Sequence, residues 1–220
     1  PFINVIDQWQ TIIIFLSIAS MILGAVAAIG QKNIKRLMAY STIGHMGYAL
    51  AGLATGTNQG IQSTIIYITI YLVMNLGAFG CIFLMKRENI FYENINDLSG
   101  LSRNHPLLAL SFLIILFSLA GIPPLAGFFA KFYVFLAVIE AQMYTLAIIG
   151  LVTTVVSAFY YIRIVKVIYF DKPKKPATVK IRRAFAQGVS DHKFCFNNCF
   201  NTFCFSLCFS FNSQQLSATH

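Results

Sequence analysis

Lys131 is the only Lys, Arg, Asp or Glu between Arg103 and Glu140, and it lies four residues after Gly127 in the interrupted apolar run FSLAGIPPLAGFFAKFY, 117–133. Pro123 and Pro124 carry no backbone N–H and clash with a preceding helical turn. Gly121 and Gly127 flank them and resist unwinding little, so the run is predicted to be a helix broken over 121–127. An amine placed beside opened backbone suits a site for a proton or cation. In a membrane, a broken helix is tolerated only inside protein or along a hydrated cavity, and an ionisable residue at depth is costly. The competing reading has Lys131 snorkelling from a short helix to the lipid surface, with Pro-Pro as an ordinary loop.

Composition places this stretch in a membrane. Of 220 residues, 57% are hydrophobic and 10% charged, with mean hydropathy +0.70, whereas a soluble domain carries about a quarter charged residues. Five apolar segments come near the roughly 20 residues that cross a bilayer. They are 9–30, 37–55, 61–85, 107–139 (the broken one) and 141–162, forming an all-α membrane bundle over 1–172. Gly24, Ala27 and Ala28, then Gly44, Gly47 and Gly52, then Gly77, Ala78 and Gly80 suit close helix packing in lipid. The opening at Pro1 within ten residues of an apolar segment predicts a fragment lacking its N-terminal part.

The net charge of +9 would suggest nucleic acid in a soluble chain, but here the basic residues sit between apolar segments. Lys32, Lys35 and Arg36 lie between segments one and two; Lys86, Arg87 and Arg103 between three and four; Arg163, Lys166, Lys172, Lys174 and Lys175 follow five. If each segment crosses once, all these positive residues fall on one side, as cytoplasmic loops require. A hairpin at Pro123-Pro124 would move the last cluster across, and each half would be only about 24 Å long against a core of about 30 Å. Lys131 then belongs to the membrane rather than to the basic surface.

Other polar residues inside the segments are candidate relays. His45, in STIGHMGY, has an imidazole that can take and give a proton near neutral pH, or can simply bond between helices. Tyr67, Tyr71 and Asn75 recur at four-residue steps and share one helix face. They could carry a hydrated path or bond to a neighbouring helix. Glu140 is expected at the opposite interface, where a carboxylate is cheap. No GxGxxG, P-loop, HExxH or metal-ligand spacing occurs in the first five segments, and Cys81 stands alone there. No cofactor or metal is therefore expected in this chain.

Residues 173–220 form an atypical tail. Cys195, Cys199, Cys204 and Cys208 near His192 lack the short C-x2-C knuckles of zinc sites, and Asn197, Asn198 and Asn201 count against a sixth membrane helix. A shifted reading frame, or a disordered end, is the favoured reading.

The runs QKNIKRLMAYSTIGHMGY, SLAGIPPLAGFFAKFYVF and AFYYIRIVKVIYFD closely resemble the antiporter-like membrane subunits of respiratory complex I. Within that group the resemblance is to the subunit N branch, called NADH dehydrogenase subunit 2 in mitochondria, over roughly residues 9–172. A glutamate at position 131 would resemble subunit M, and a Lys-Asp pair subunit L; here Phe132 follows Lys131. The resemblance implies two inverted five-helix repeats, of which this chain matches the second, with Lys131 as the proton-conducting residue of its broken helix. It implies an assembly that oxidises NADH, reduces a quinone and moves protons, in which this chain carries protons and binds neither NADH nor iron–sulfur clusters. The implied partners are other complex I membrane subunits and the bilayer, not nucleic acid, in a bacterial inner membrane or alternatively the mitochondrial one. A subunit of a multi-subunit cation/proton antiporter shares these motifs, and an inactive truncated copy would retain them.

The charge pattern yields a topology test. Cysteines placed in the loops carrying Lys35 and Arg103, and in the segment after Lys172, are expected to resist a membrane-impermeant label applied from outside. Labelling after Lys172 but not near Lys35 would restore the hairpin.

Overall fold

The computed structural model describes residues 6–84, 86–87, 90–91 and 93–171; the expectations for the tail after 172 lie outside them. The described chain forms helices α1 (Ile6–Ile29), α2 (Ile34–Ala54), α3 (Asn58–Leu84), α4 (Leu101–Asn104), α5 (Pro106–Ala120), α6 (Ala126–Glu140) and α7 (Tyr144–Tyr169). A hairpin of two-residue strands, β1 (Lys86–Arg87) and β2 (Ile90–Phe91), and a 3-10 turn, Ile95–Leu98, link α3 to α4. The architecture is an all-α membrane bundle with one broken helix.

Three spans, Trp9–Ile29, Asn58–Phe83 and Tyr144–Tyr169, are long and apolar enough to cross a membrane alone. Their outward faces are apolar: Phe15, Val26, Ile65, Leu76, Val155 and Phe159 are all exposed. Helix α2 is long enough at 21 residues but more polar, because it lies inside the bundle. It buries Ser41 and His45 beside Leu37, Tyr48 and Ala51.

The two halves of the broken helix have 15 residues each, about 22 Å apiece and short of a full crossing. Their neighbours show that they cross once, together. On α3, Gly77 packs against Ile115 and Met74 against Ser118, so α5 runs antiparallel to the C-terminal part of α3. Along α7, Ile168 accepts a hydrogen bond from Ser102 just before α5, while Gly150 packs on the ring of Phe135 in α6. One continuous helix therefore flanks both halves in order.

The basic loops collect at one end. Asn33 caps α2 by accepting from the Lys35 and Arg36 amides, at 2.9 and 3.3 Å. Its amide group donates to Glu93, which also pairs with Lys35 at 2.9 Å. Backbone bonds from Ile34 to the Glu93 carbonyl and from Ile95 to the Lys32 carbonyl complete this latch between the α1–α2 and α3–α4 connections. The Lys35 ammonium, then the Asn33 amide, hold the exposed Glu93 carboxyl below the usual carboxylate range. A lowered native value stabilises the latch above the unfolded carboxylate range, and that contribution is lost as pH falls through the native value. At neutral pH the latch is closed.

Helices α1 and α2 meet through glycines. A Cβ on Gly24 would collide with the backbone of Gly44 and the Tyr40 carbonyl, whereas one on Gly80 would meet nothing within 4 Å. Gly24→Ala is expected to cost about 1–3 kcal/mol by overpacking, and Gly80→Ala nothing. Thermal unfolding of the detergent-solubilised subunit should show a lowered midpoint for the first variant only.

Candidate functional site

The site is built where α5 stops. Gly121 adopts a left-handed conformation, φ 86°, that favours a residue without Cβ. Its N–H donates to the carbonyls of Phe117 and Ser118, and that of Ile122 to Phe117. Pro123 and Pro124, joined by a cis peptide, bring no donors that would need partners. Chain direction then resumes with Leu125 N–H on the Ile122 carbonyl and Phe128 N–H on Leu125. Two α5 carbonyls remain, and Lys131 takes both: its Nζ donates to Leu119 at 3.2 Å and to Ala120 at 3.3 Å.

Lys131 thus acts as a charged C-cap, reaching back along α6 as helical side chains do. The carbonyl end of α5 carries partial negative charge, which favours an ammonium there. The side chain is 4% exposed, and among the described residues it is the one Lys, Arg, Asp or Glu that is buried. It does not snorkel. Its ammonium also lies over the Tyr48 ring, 5.2 Å from the centroid, a distance at which a cation is attracted to the aromatic face.

From Tyr48 a polar lane runs along α2. Ser41, His45 and Tyr48 stand at i, i+4 and i+7, and all are buried. His45 holds Tyr67 with Nδ1 at 2.7 Å and Tyr161 with Nε2 at 3.2 Å. Its ring stacks on Tyr71, centroids 4.7 Å apart. Tyr161 also hydrogen-bonds Ser41, and Tyr71 donates to Thr42 at 2.9 Å. Tyr48 shares its hydroxyl with Thr153 and Thr154 on α7, each at 3.1 Å. Because Ser41 is nearer the start of α2 than Tyr48, the lane leads from Lys131 toward the end where the basic loops collect.

The structure therefore brings Lys131, His45, Tyr67 and Tyr71 into one region, with Gly121, Pro123, Pro124 and Gly127 in and around the break. Asn75, one turn beyond Tyr71 on α3, joins none of these hydrogen bonds: its Oδ1 is buried without a partner. Glu140 ends α6 in an exposed position. Tyr48, Tyr161 and Ser41 were missed by sequence reasoning. The four-and-three spacing of Ser41, His45 and Tyr48 was the available signal, but nothing in the sequence aimed Tyr48 at Lys131. Among the described residues no three His, Cys, Asp or Glu cluster as metal ligands.

A family model described as NADH:quinone oxidoreductase/Mrp antiporter, transmembrane, matches residues 1–157. The chain belongs to this family. It is 71% identical over 175 residues to NADH-quinone oxidoreductase subunit N of Pelagibacter ubique, an alignment covering 80% of this chain and 37% of that protein. The chain thus spans little more than a third of the curated relatives it matches. Among solved structures, a chain of Thermus thermophilus respiratory complex I with bound Aureothin superposes with TM-score 0.74 at 29% identity, covering 90% of this chain and 43% of that one. A chain of the Mrp complex from Dietzia sp. gives TM-score 0.70 at 24% identity, over 78% and 32%; that likeness is one of fold alone.

The tyrosine pair on His45 can be tested for structural coupling. Tyr67→Phe leaves a buried ring nitrogen unpaired and should cost about 1–3 kcal/mol. In a His45→Leu background the same change should cost clearly less, since the two share one interaction. Thermal midpoints of the four solubilised variants check this.

Proposed function

We propose that this chain is the lysine-bearing part of a proton-translocating subunit in an NADH:quinone oxidoreductase, and that Lys131 is its proton carrier. The observation that carries the reading is the buried Lys131 amine at a broken helix, alone of its kind among the described residues, held by the Leu119 and Ala120 carbonyls and facing Tyr48. Identity to subunit N relatives, 71% in one case, supports the choice of assembly. NADH oxidation and quinone reduction belong in this reading to partner subunits. The bilayer and other complex I membrane subunits surround the chain, in a bacterial inner membrane.

Mechanistically, a protonated Lys131 is stabilised by the α5 carbonyl end. Passing the proton on leaves an amine whose two N–H groups still reach those carbonyls but without the charge that strengthened both bonds, so the neutral form weakens the cap and favours a rearranged break or entry of water. The route toward the basic end offers the hydroxyls and imidazole of Tyr48, His45, Tyr67, Tyr161 and Ser41. Opening the break to one side at a time is the general device of transporters built on discontinuous helices. Thus the proton's access is coupled to the backbone that holds its carrier.

In the full-length subunit, Lys131→Ala is expected to lower NADH-driven proton uptake severalfold in membrane vesicles at equal complex content. Lys131→Arg should rescue poorly, because a guanidinium stays protonated. Normal uptake in the Ala variant would remove Lys131 from the mechanism. Free exchange with Arg would reduce it to a fixed cation that caps α5 without releasing a proton.

A further inference from the structure

The half-helices around the break are joined by a residue that the proton route does not use. Ser118, in the last turn of α5, is 5% exposed. Its Oγ accepts from the Gly127 N–H in the first turn of α6 at 3.0 Å and donates to Met74 Sδ on α3 at 2.9 Å. Approach is close enough that a Cβ on Gly127 would run into the Ser118 carbonyl. That carbonyl is in turn committed to the Gly121 N–H. The next two carbonyls along α5, Leu119 and Ala120, are the pair that hold Lys131.

We infer that Ser118 is a positioning residue for Lys131, its hydroxyl pinning the start of α6 to the end of α5 so that the ammonium reaches both carbonyls. The inference rests on the proton-carrier reading above. Three geometric facts meet in it. An amide at the start of a helix has no partner within that helix, and Ser118 supplies one for Gly127 from across the gap. Residue 127 is one helical turn before 131, so fixing the amide of the former fixes the origin from which the lysine stem extends. The bond to Met74 orients the hydroxyl proton toward α3, which leaves the oxygen lone pairs for Gly127. Serine thus satisfies, with one atom, the donor that the break exposes, and sets the separation of the half-helices.

The hydroxyl and the volume of Ser118 make opposite predictions. If only packing matters, the nearly isosteric Ser118→Ala is tolerated and the bulkier Ser118→Thr is not. If the hydroxyl positions Lys131, the order reverses. In the full-length subunit within its assembled complex, Ser118→Ala should lower proton uptake per NADH oxidised by roughly two- to tenfold, the effect of one net hydrogen bond, and Ser118→Thr should restore it. Complex content is controlled by NADH oxidation with an artificial acceptor.

Normal uptake by Ser118→Ala beside a defective Lys131→Ala overturns the positioning role and leaves the carrier intact. Loss in both Ser118 variants with the complex assembled shows that a hydroxyl at this position does not restore uptake, and also overturns the positioning role. Normal uptake by Lys131→Ala removes the carrier reading, and the positioning role with it.

Discussion

The requirement on which the rest depends is that opened backbone inside a membrane must find partners. A helix that stops at Ala120 exposes its last carbonyls where no bulk water competes, and each unsatisfied group there is costly. The chain meets this with two donors from Gly121 and Ile122, and with the ammonium of Lys131 on Leu119 and Ala120. The prolines add no donors to be satisfied. Charge and break therefore explain one another: the lysine is tolerated at depth because the helix ends there, and the helix can end there because the lysine caps it.

The surrounding helices keep that arrangement apart from lipid. Helix α3 touches both halves, α7 runs the length of both, and α2 sits inside with its hydroxyl and imidazole groups turned to its neighbours. The long outer helices carry apolar faces, and the basic loops are gathered at one end by Asn33, Lys35 and Glu93. A lane of polar side chains can exist in such a bundle because each member is bonded to another. His45 alone engages two tyrosine hydroxyls and stacks on a third ring.

Much of this was legible before the structure. Two prolines with flanking glycines announced the break, and the one-sided run of Lys32, Lys35, Arg36, Arg163 and Lys166 argued for a single crossing of the broken segment. Lys131 stood out because it was alone in an apolar stretch. Tyr48 did not, since tyrosines are common in helices and only tertiary packing turned this ring toward the ammonium. Spacing put Asn75 on the face of Tyr67 and Tyr71, yet a shared helix face guarantees a shared partner only if the neighbouring helix follows it. Here α2 supplies His45 and Thr42 to the two tyrosines, and Asn75 finds no such partner. The role of Ser118 depends on a contact across nine residues and a broken helix, which no periodicity encodes.

The capped break also ties the position of the ammonium to the backbone around it. Whatever displaces the ammonium from the Leu119 and Ala120 carbonyls raises the free energy of the α5 end. By linkage, whatever distorts the α5 end weakens the hold on the ammonium by the same amount. The device does not specify the source of the distortion. Any neighbour that presses on the bundle at this point would act through the same two carbonyls. What an assembly must add is a second state of the break that is stable enough to be populated, since only a differential between two states can shift the equilibrium. The two carbonyls thus couple the ammonium to the backbone, and what populates the second state lies outside them.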